Sequence, residues 1–175
     1  VVVILVSVVG VYNKFIKLVN RTKEAWADIN VQLKRRYDLI PNLVATVKGY
    51  AAHEKETLEG VINARSKATQ TTVDPTKMNE ESIKKFQAAQ GELSSALGRL
   101  MVIVERYPDL KANQNFLELQ AQLEGTENRI TVERMKFNDS AKSFNTYIRK
   151  FPQNIISGMF GFEKKAYFEA EEGSE

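Results

Sequence analysis

Apolar residues recur three and four positions apart in four long stretches of this chain, the spacing that lines one face of an α-helix. The first stretch carries Phe15, Leu18, Val19, Thr22, Trp26, Ile29 and Leu33 and predicts a helix running to about Tyr37. The second begins near Pro41, a residue accepted in a helix's first turn. It continues through Leu43, Val47, Tyr50, Glu54, Leu58, Val61 and Ile62 to about Lys67. A polar connection over residues 69–77 follows. The third stretch is the most regular, with Ile83, Phe86, Gln90, Leu93, Leu97, Leu100, Val104 and Tyr107, and Tyr107-Pro108-Asp109 ends it. The fourth, over residues 115–149, carries Phe116, Leu119, Leu123, Thr126, Ile130, Glu133, Phe137, Phe144 and Ile148. Stripes this wide bury one another. The pattern therefore predicts an all-α fold, an antiparallel up-and-down four-helix bundle with coiled-coil-like crossings near ~20°. At residues 38–41 it allows a tight antiparallel turn or a kink in one very long helix. The turn is favoured because the helices then have comparable lengths.

Residues 1–12, VVVILVSVVGVY, carry no charge and one polar side chain, Ser7. As a helix they cover roughly 18 Å, against a hydrocarbon core of about 30 Å. The chain begins with Val, so the expectation is half of one transmembrane helix, completed upstream. A secretory signal peptide is the rival, but no A-x-A cleavage pattern follows. The helical period instead runs straight on, so the anchor is expected to be continuous with the first bundle helix. Lys14, Lys17, Arg21 and Lys23 precede the first acidic residue, Glu24, and by the positive-inside tendency place the bundle in the cytoplasm of a single-pass membrane protein. Tyr12, Lys14, Lys17 and Arg21 are the expected contacts with the lipid headgroups.

Composition narrows the chemistry. Hydrophobic residues at 43% supply a sizeable core, while 27% charged residues and four prolines suit long solvated helices. The length of 175 residues fits one domain and an anchor: a transmembrane helix over 1–12, a bundle over 13–151 and a C-terminal tail over 152–175. A net charge of +3 and no nucleic-acid-binding motif point away from a nucleic-acid partner. With no cysteine and one histidine, His53, thiolate chemistry and multi-imidazole zinc sites are excluded within one chain. His53-Glu54 lacks the second histidine of HExxH, since Thr57 stands there. A di-iron bundle needs two Glu-x-x-His motifs. No catalytic, cofactor or metal residue is expected, and hence no enzyme.

Some polar residues invite a role. Glu54, Gln90 and Glu133 occupy stripe positions where apolar side chains are expected. They suit placement at the core's boundary, or pairing with an arginine such as Arg65, Arg129 or Arg134 that fixes helix register. The sharper alternative is an acid pair in the core that binds a cation. Lys34, Arg35 and Arg36 form either a dipole-complementing last turn or a contact for a partner protein. Arg36 lies roughly 39 Å beyond Gly10 along a continuous helix, too far for the anchoring membrane. Ile155, Ile156, Met159, Phe160 and Phe162 emerge near the bilayer if the fourth helix runs back toward it. They either dip into the interface beside Lys164 and Lys165 or cap the bundle's end, which is slightly favoured. Glu169, Glu171, Glu172 and Glu175 read as an acidic tail.

Several of these segments together resemble the LemA family. The resemblance is carried by Tyr12-Asn13, by Ala25-Trp26-Ala27-Asp28-Ile29, and above all by the block over residues 32–44, QLKRRYDLIPNLV. Residues 48–51, His53-Glu54 and Ala64-Arg65 add to it. So do residues 105–111, Asn115-Phe116, Leu119-Gln120, Leu123-Glu124, residues 126–130, Arg134, Asn138, Asn145 and Phe151-Pro152. It implies a bacterial single-pass membrane protein with a helical bundle, and no defined activity. It also implies a link to membrane compartments, through a magnetosome relative, and to membrane proteases, through gene neighbourhood. Two functions are expected on this basis. One is a non-enzymatic scaffold that forms homo-oligomers at the lipid bilayer and organises or shapes membrane. The other is an adaptor or sensor for a membrane protease or other membrane-protein partner.

Overall fold

A computed structural model describes residues 1–168, and every regular element among them is an α-helix. α1 spans Val2–Tyr50 without a break, 49 residues or about 74 Å at 1.5 Å per residue. The turn favoured at residues 38–41 is therefore corrected: the helix runs through Pro41, and the chain reverses at residues 51–54. Proline has no N–H for the carbonyl four residues earlier, which here is Tyr37. Arg65 supplies the missing donor, its Nε–H donating to the Tyr37 carbonyl at 2.8 Å. Replacing Arg65 with alanine is expected to cost about 1–2 kcal/mol in urea unfolding of the detergent-solubilised chain. Adding Pro41→Ala should recover it, because a residue-41 N–H restores the lost helical bond. Additive behaviour of the two substitutions would refute the compensation.

Two of the five remaining helices start where an asparagine side chain satisfies a free N–H group. α2 spans Lys55–Gln70. α3 spans Glu80–Val104, and Asn79 caps it: its Oδ1 accepts from the Ser82 N–H at 2.8 Å while Ser82 Oγ accepts from the Asn79 N–H at 3.1 Å. α4, Pro108–Lys111, is a single turn begun by proline. α5, Gln114–Arg149, opens on Asn113, whose Oδ1 accepts from the Phe116 N–H at 3.0 Å. α6 covers Gln153–Phe160.

Contacts align these elements along α1. Asn113 donates to the Tyr50 hydroxyl at 3.0 Å, and at the opposite end of both helices the Phe15 and Tyr147 rings lie 4.8 Å apart. α2 and α3 meet through Lys67 and Glu92 at 2.8 Å. Nearer the 51–54 reversal, the Tyr107 hydroxyl, just beyond α3, donates to Glu54 at 3.2 Å. The core then forms three clusters in sequence along the long axis. Ile40, Val47, Leu58, Leu97, Leu110 and Phe116 lie in the one by the 51–54 reversal. Trp26, Ile29, Leu33, Phe86, Phe137 and Phe168 fill the middle. Phe15, Leu18, Phe144, Tyr147 and Ile156 close the end next to the apolar segment.

The stretch from residue 152, set apart by sequence as a tail, is packed onto the helices as far as residue 168. After α6 the chain turns at Gly161, φ 71°, a left-handed conformation that favours glycine. It then runs along α5, held by two asparagines two helical turns apart. Asn145 accepts from the Lys165 N–H at 2.7 Å and donates to the Lys165 carbonyl at 2.8 Å. Asn138 holds the Phe168 N–H and carbonyl in the same way, at 2.8 and 3.1 Å. The four glutamates read as an acidic tail, Glu169, Glu171, Glu172 and Glu175, lie outside the described residues.

Candidate membrane interface

α1 is long and apolar enough to cross a membrane, and its first turns have no protein around them. Val1 to Val6 are each apolar and more than half exposed, Val3 at 81%. Soluble monomers rarely show water so long an apolar surface. Burial begins within one turn of Tyr12: Val11 and Tyr12 are half-buried, and Phe15 is fully buried. α1 thus changes its surroundings between Val8, already half-buried, and Phe15 without changing its backbone.

The residues expected at the headgroups sit around this change. Lys14 reaches over the Tyr147 ring, its Nζ 4.6 Å from the centroid, while Lys17 and Arg21 are exposed. The Tyr12 ring is 4.9 Å from Phe160 and 5.9 Å from Phe162. Phe162 in turn stacks on Phe15 at 4.7 Å with the planes 14° apart. The C-terminal segment is divided between packed and exposed residues. Ile156 and Phe162 cap the bundle end, whereas Ile155, Met159 and Phe160 are exposed. Of the two lysines expected at the headgroups, Lys164 is exposed. Lys165 is half-buried, and desolvation, with Lys23 nearby, holds its ammonium below the ordinary lysine range against the opposing pull of Glu163.

Farther along α1, the structure corrects the reading of the three adjacent cations. Arg36 is 2% exposed and faces the core. Its place follows from spacing: Ile29, Leu33, Arg36, Ile40, Leu43 and Val47 form one buried stripe. The guanidinium lies 3.1 Å from Glu127, donates to Ser94 Oγ at 2.6 Å and reaches Gln90 Oε1 at 3.5 Å. Gln90 Nε2 donates to the Tyr37 hydroxyl at 2.5 Å. Burial pushes the Tyr37 phenol up, opposed by the Gln90 bond and the Arg36 charge. Lys34 and Arg35 remain on the surface.

The three polar stripe residues separate just as clearly. Gln90 is 1% exposed and belongs to the Arg36 layer, so its arginine is none of those expected from sequence. Glu54 is half-buried at the start of α2, bonded by Tyr107. Glu133 lies 3.5 Å from the Lys136 ammonium. Asn113 is level with the Tyr50 end of α1, and Glu133 is twenty residues down α5 from it, roughly 30 Å away at 1.5 Å per residue. Glu54 and Glu133 therefore do not form an acid pair. Among the described residues no three His, Asp or Glu side chains are grouped to hold a metal ion, and His53 is exposed.

A model of the LemA family matches residues 25–175. Magnetosome protein MamQ 2 of Paramagnetospirillum magneticum is 26% identical over 175 residues, covering 90% of this chain and 64% of its own length. Magnetosome protein MamQ of Magnetospirillum gryphiswaldense is 27% identical over 174 residues, with the same coverage of 90% and 64%. Protein LemA of Metamycoplasma hominis is 29% identical over 164 residues, 94% of this chain and 71% of its own length. The chain thus spans less than two thirds of the magnetosome relatives. None of these names denotes an enzyme.

Proposed function

The chain belongs to the LemA family, and from that premise we propose that it is a membrane-anchored, non-enzymatic scaffold. In this reading α1 crosses the bilayer once and an antiparallel four-helix bundle stands behind it, on the cytoplasmic side by the cation excess of Lys14, Lys17, Arg21 and Lys23. Copies associate with one another at the bilayer and order or shape it. The observation that carries the reading is the continuity of α1 from Val2 through Pro41 to Tyr50. One helix holds both the exposed apolar segment and a full side of the core, so bundle and membrane segment tilt together. A hinged anchor would let each bundle orient independently. A rigid one makes contacts between neighbouring bundles set the angle between their membrane segments.

Mass measurement of the full chain in nanodiscs and mild detergent tests this. A discrete assembly of several copies is expected, persisting on dilution. A strictly monomeric particle would overturn the scaffold and favour an adaptor for a membrane-protein partner.

A further inference from the structure

We propose that the outer face of α6 is a second lipid contact, seated in the headgroup–acyl boundary of the same bilayer that α1 crosses. This rests on the anchor reading above and goes beyond it, because a single spanning helix requires no other part of the chain to touch lipid.

Three observations converge. The first is level. Phe160 lies 4.9 Å from Tyr12, and Tyr12 is where α1 passes from its exposed apolar turns into the bundle. The end of α6 therefore lies at the height where a spanning α1 would leave the hydrocarbon.

The second is chemistry. Ile155 and Met159 are 54% and 71% exposed, and their spacing of four places them on one side of the helix, while Phe160, 50% exposed, lies at the edge toward Tyr12. Phe151, just before α6, is 78% exposed. The rest of α6 is already used: Ser157, opposite that face, and Ile156 beside it are buried, and Phe162 beyond them stacks on Phe15. The outer residues are thus not a core face awaiting a partner helix of this chain. They are held outward by a cap that is complete without them.

The third is charge and continuity. Lys14, Lys17 and Lys150, which lie in or beside the helical turns at this end, are exposed, and farther along Lys164 lines a pocket with Glu80 and Glu163. Apolar residues ringed by lysines match an anionic interface, acyl chains below and phosphates beside. The patch also continues the exposed apolar surface of α1, through Tyr12, which favours lipid over a second protein as its occupant. Two contacts at one end would fix the bundle's tilt against the bilayer, as interfacial anchors do for spanning helices.

The test uses the full chain in nanodiscs containing anionic lipid brominated near the top of the acyl chains. Met159→Trp adds an indole at a surface position where folding is not at stake, and Leu5→Trp adds one in the apolar segment. The sole native tryptophan, Trp26, is buried in the core and gives the baseline. Loss of most of the added emission in both variants is the expected result. Quenching of Leu5→Trp but not of Met159→Trp would overturn the α6 contact and leave the anchor standing. A blue-shifted but unquenched indole from Met159→Trp would likewise overturn it, placing protein on that face. If neither variant is quenched, the anchor reading falls and takes this inference with it.

Discussion

Replacing Arg36 with alanine is expected to lower the unfolding free energy by about 3 kcal/mol. The loss does not come mainly from Glu127, whose side chain is 39% exposed and can turn to water when its partner goes. It comes from buried Gln90, which loses a charged donor, at about 1–3 kcal/mol for a buried group left unsatisfied; Ser94 is exposed and can also turn to water. The void left by a large, 2% exposed side chain adds to it. Arg36→Lys should recover only part, since an ammonium cannot make the guanidinium's forked contacts. Arg36→Met with Gln90→Leu should recover most, because both ends of the polar contact become apolar. Urea midpoints of the four chains in detergent measure this. A change within about 0.5 kcal/mol for Arg36→Ala would show that the layer is not stabilising.

Truncating Phe168 to alanine is the second large effect, a loss of about 3–5 kcal/mol. The ring is 5% exposed although it lies close to the chain's end. It stacks on Trp26 at 5.9 Å with planes 10° apart, and Phe137 and Phe86 lie 5.2 and 6.1 Å away. The Arg134 guanidinium sits 5.3 Å over it. Its removal uncovers one face of the indole, so Trp26 emission should shift to the red as stability falls. Hydrogen exchange over residues 162–168 should rise with it, because the two asparagines then hold a segment with no apolar plug. Unchanged Trp26 emission would mean that the ring is not seated there in solution.

These two residues mark where sequence reading stopped. Arg36 belongs to a run of three cations, and adjacent cations suggest a surface patch. Helical spacing alone places position 36 on the stripe between Leu33 and Ile40, so the signal was present but was outweighed by residue type. Phe168 is different. Asn138 and Asn145 matched the family pattern, yet nothing local says that their amides grip the backbone of residues 165 and 168. Glu54 and Glu133 looked alike on their stripes, and only the three-dimensional arrangement parts them.

By itself the sequence determined the all-helical class, the apolar segment running unbroken into a helix, the extent of the helix beginning near residue 115, and the family. The first three rest on short-range periodicity, which side chains three and four apart express wherever they fold, and the family rests on particular residues, above all the block over residues 32–44. Tertiary structure alone decided that α1 passes Pro41, because the donor that rescues the Tyr37 carbonyl comes from Arg65 on another helix. It also decided that residues 162–168 complete the middle core, because extended backbone held by side-chain amides leaves no periodic trace. And it divided α6 between a buried cap and an exposed face, a choice made by where Phe15 and Tyr12 stand, not by the eight residues of α6 themselves.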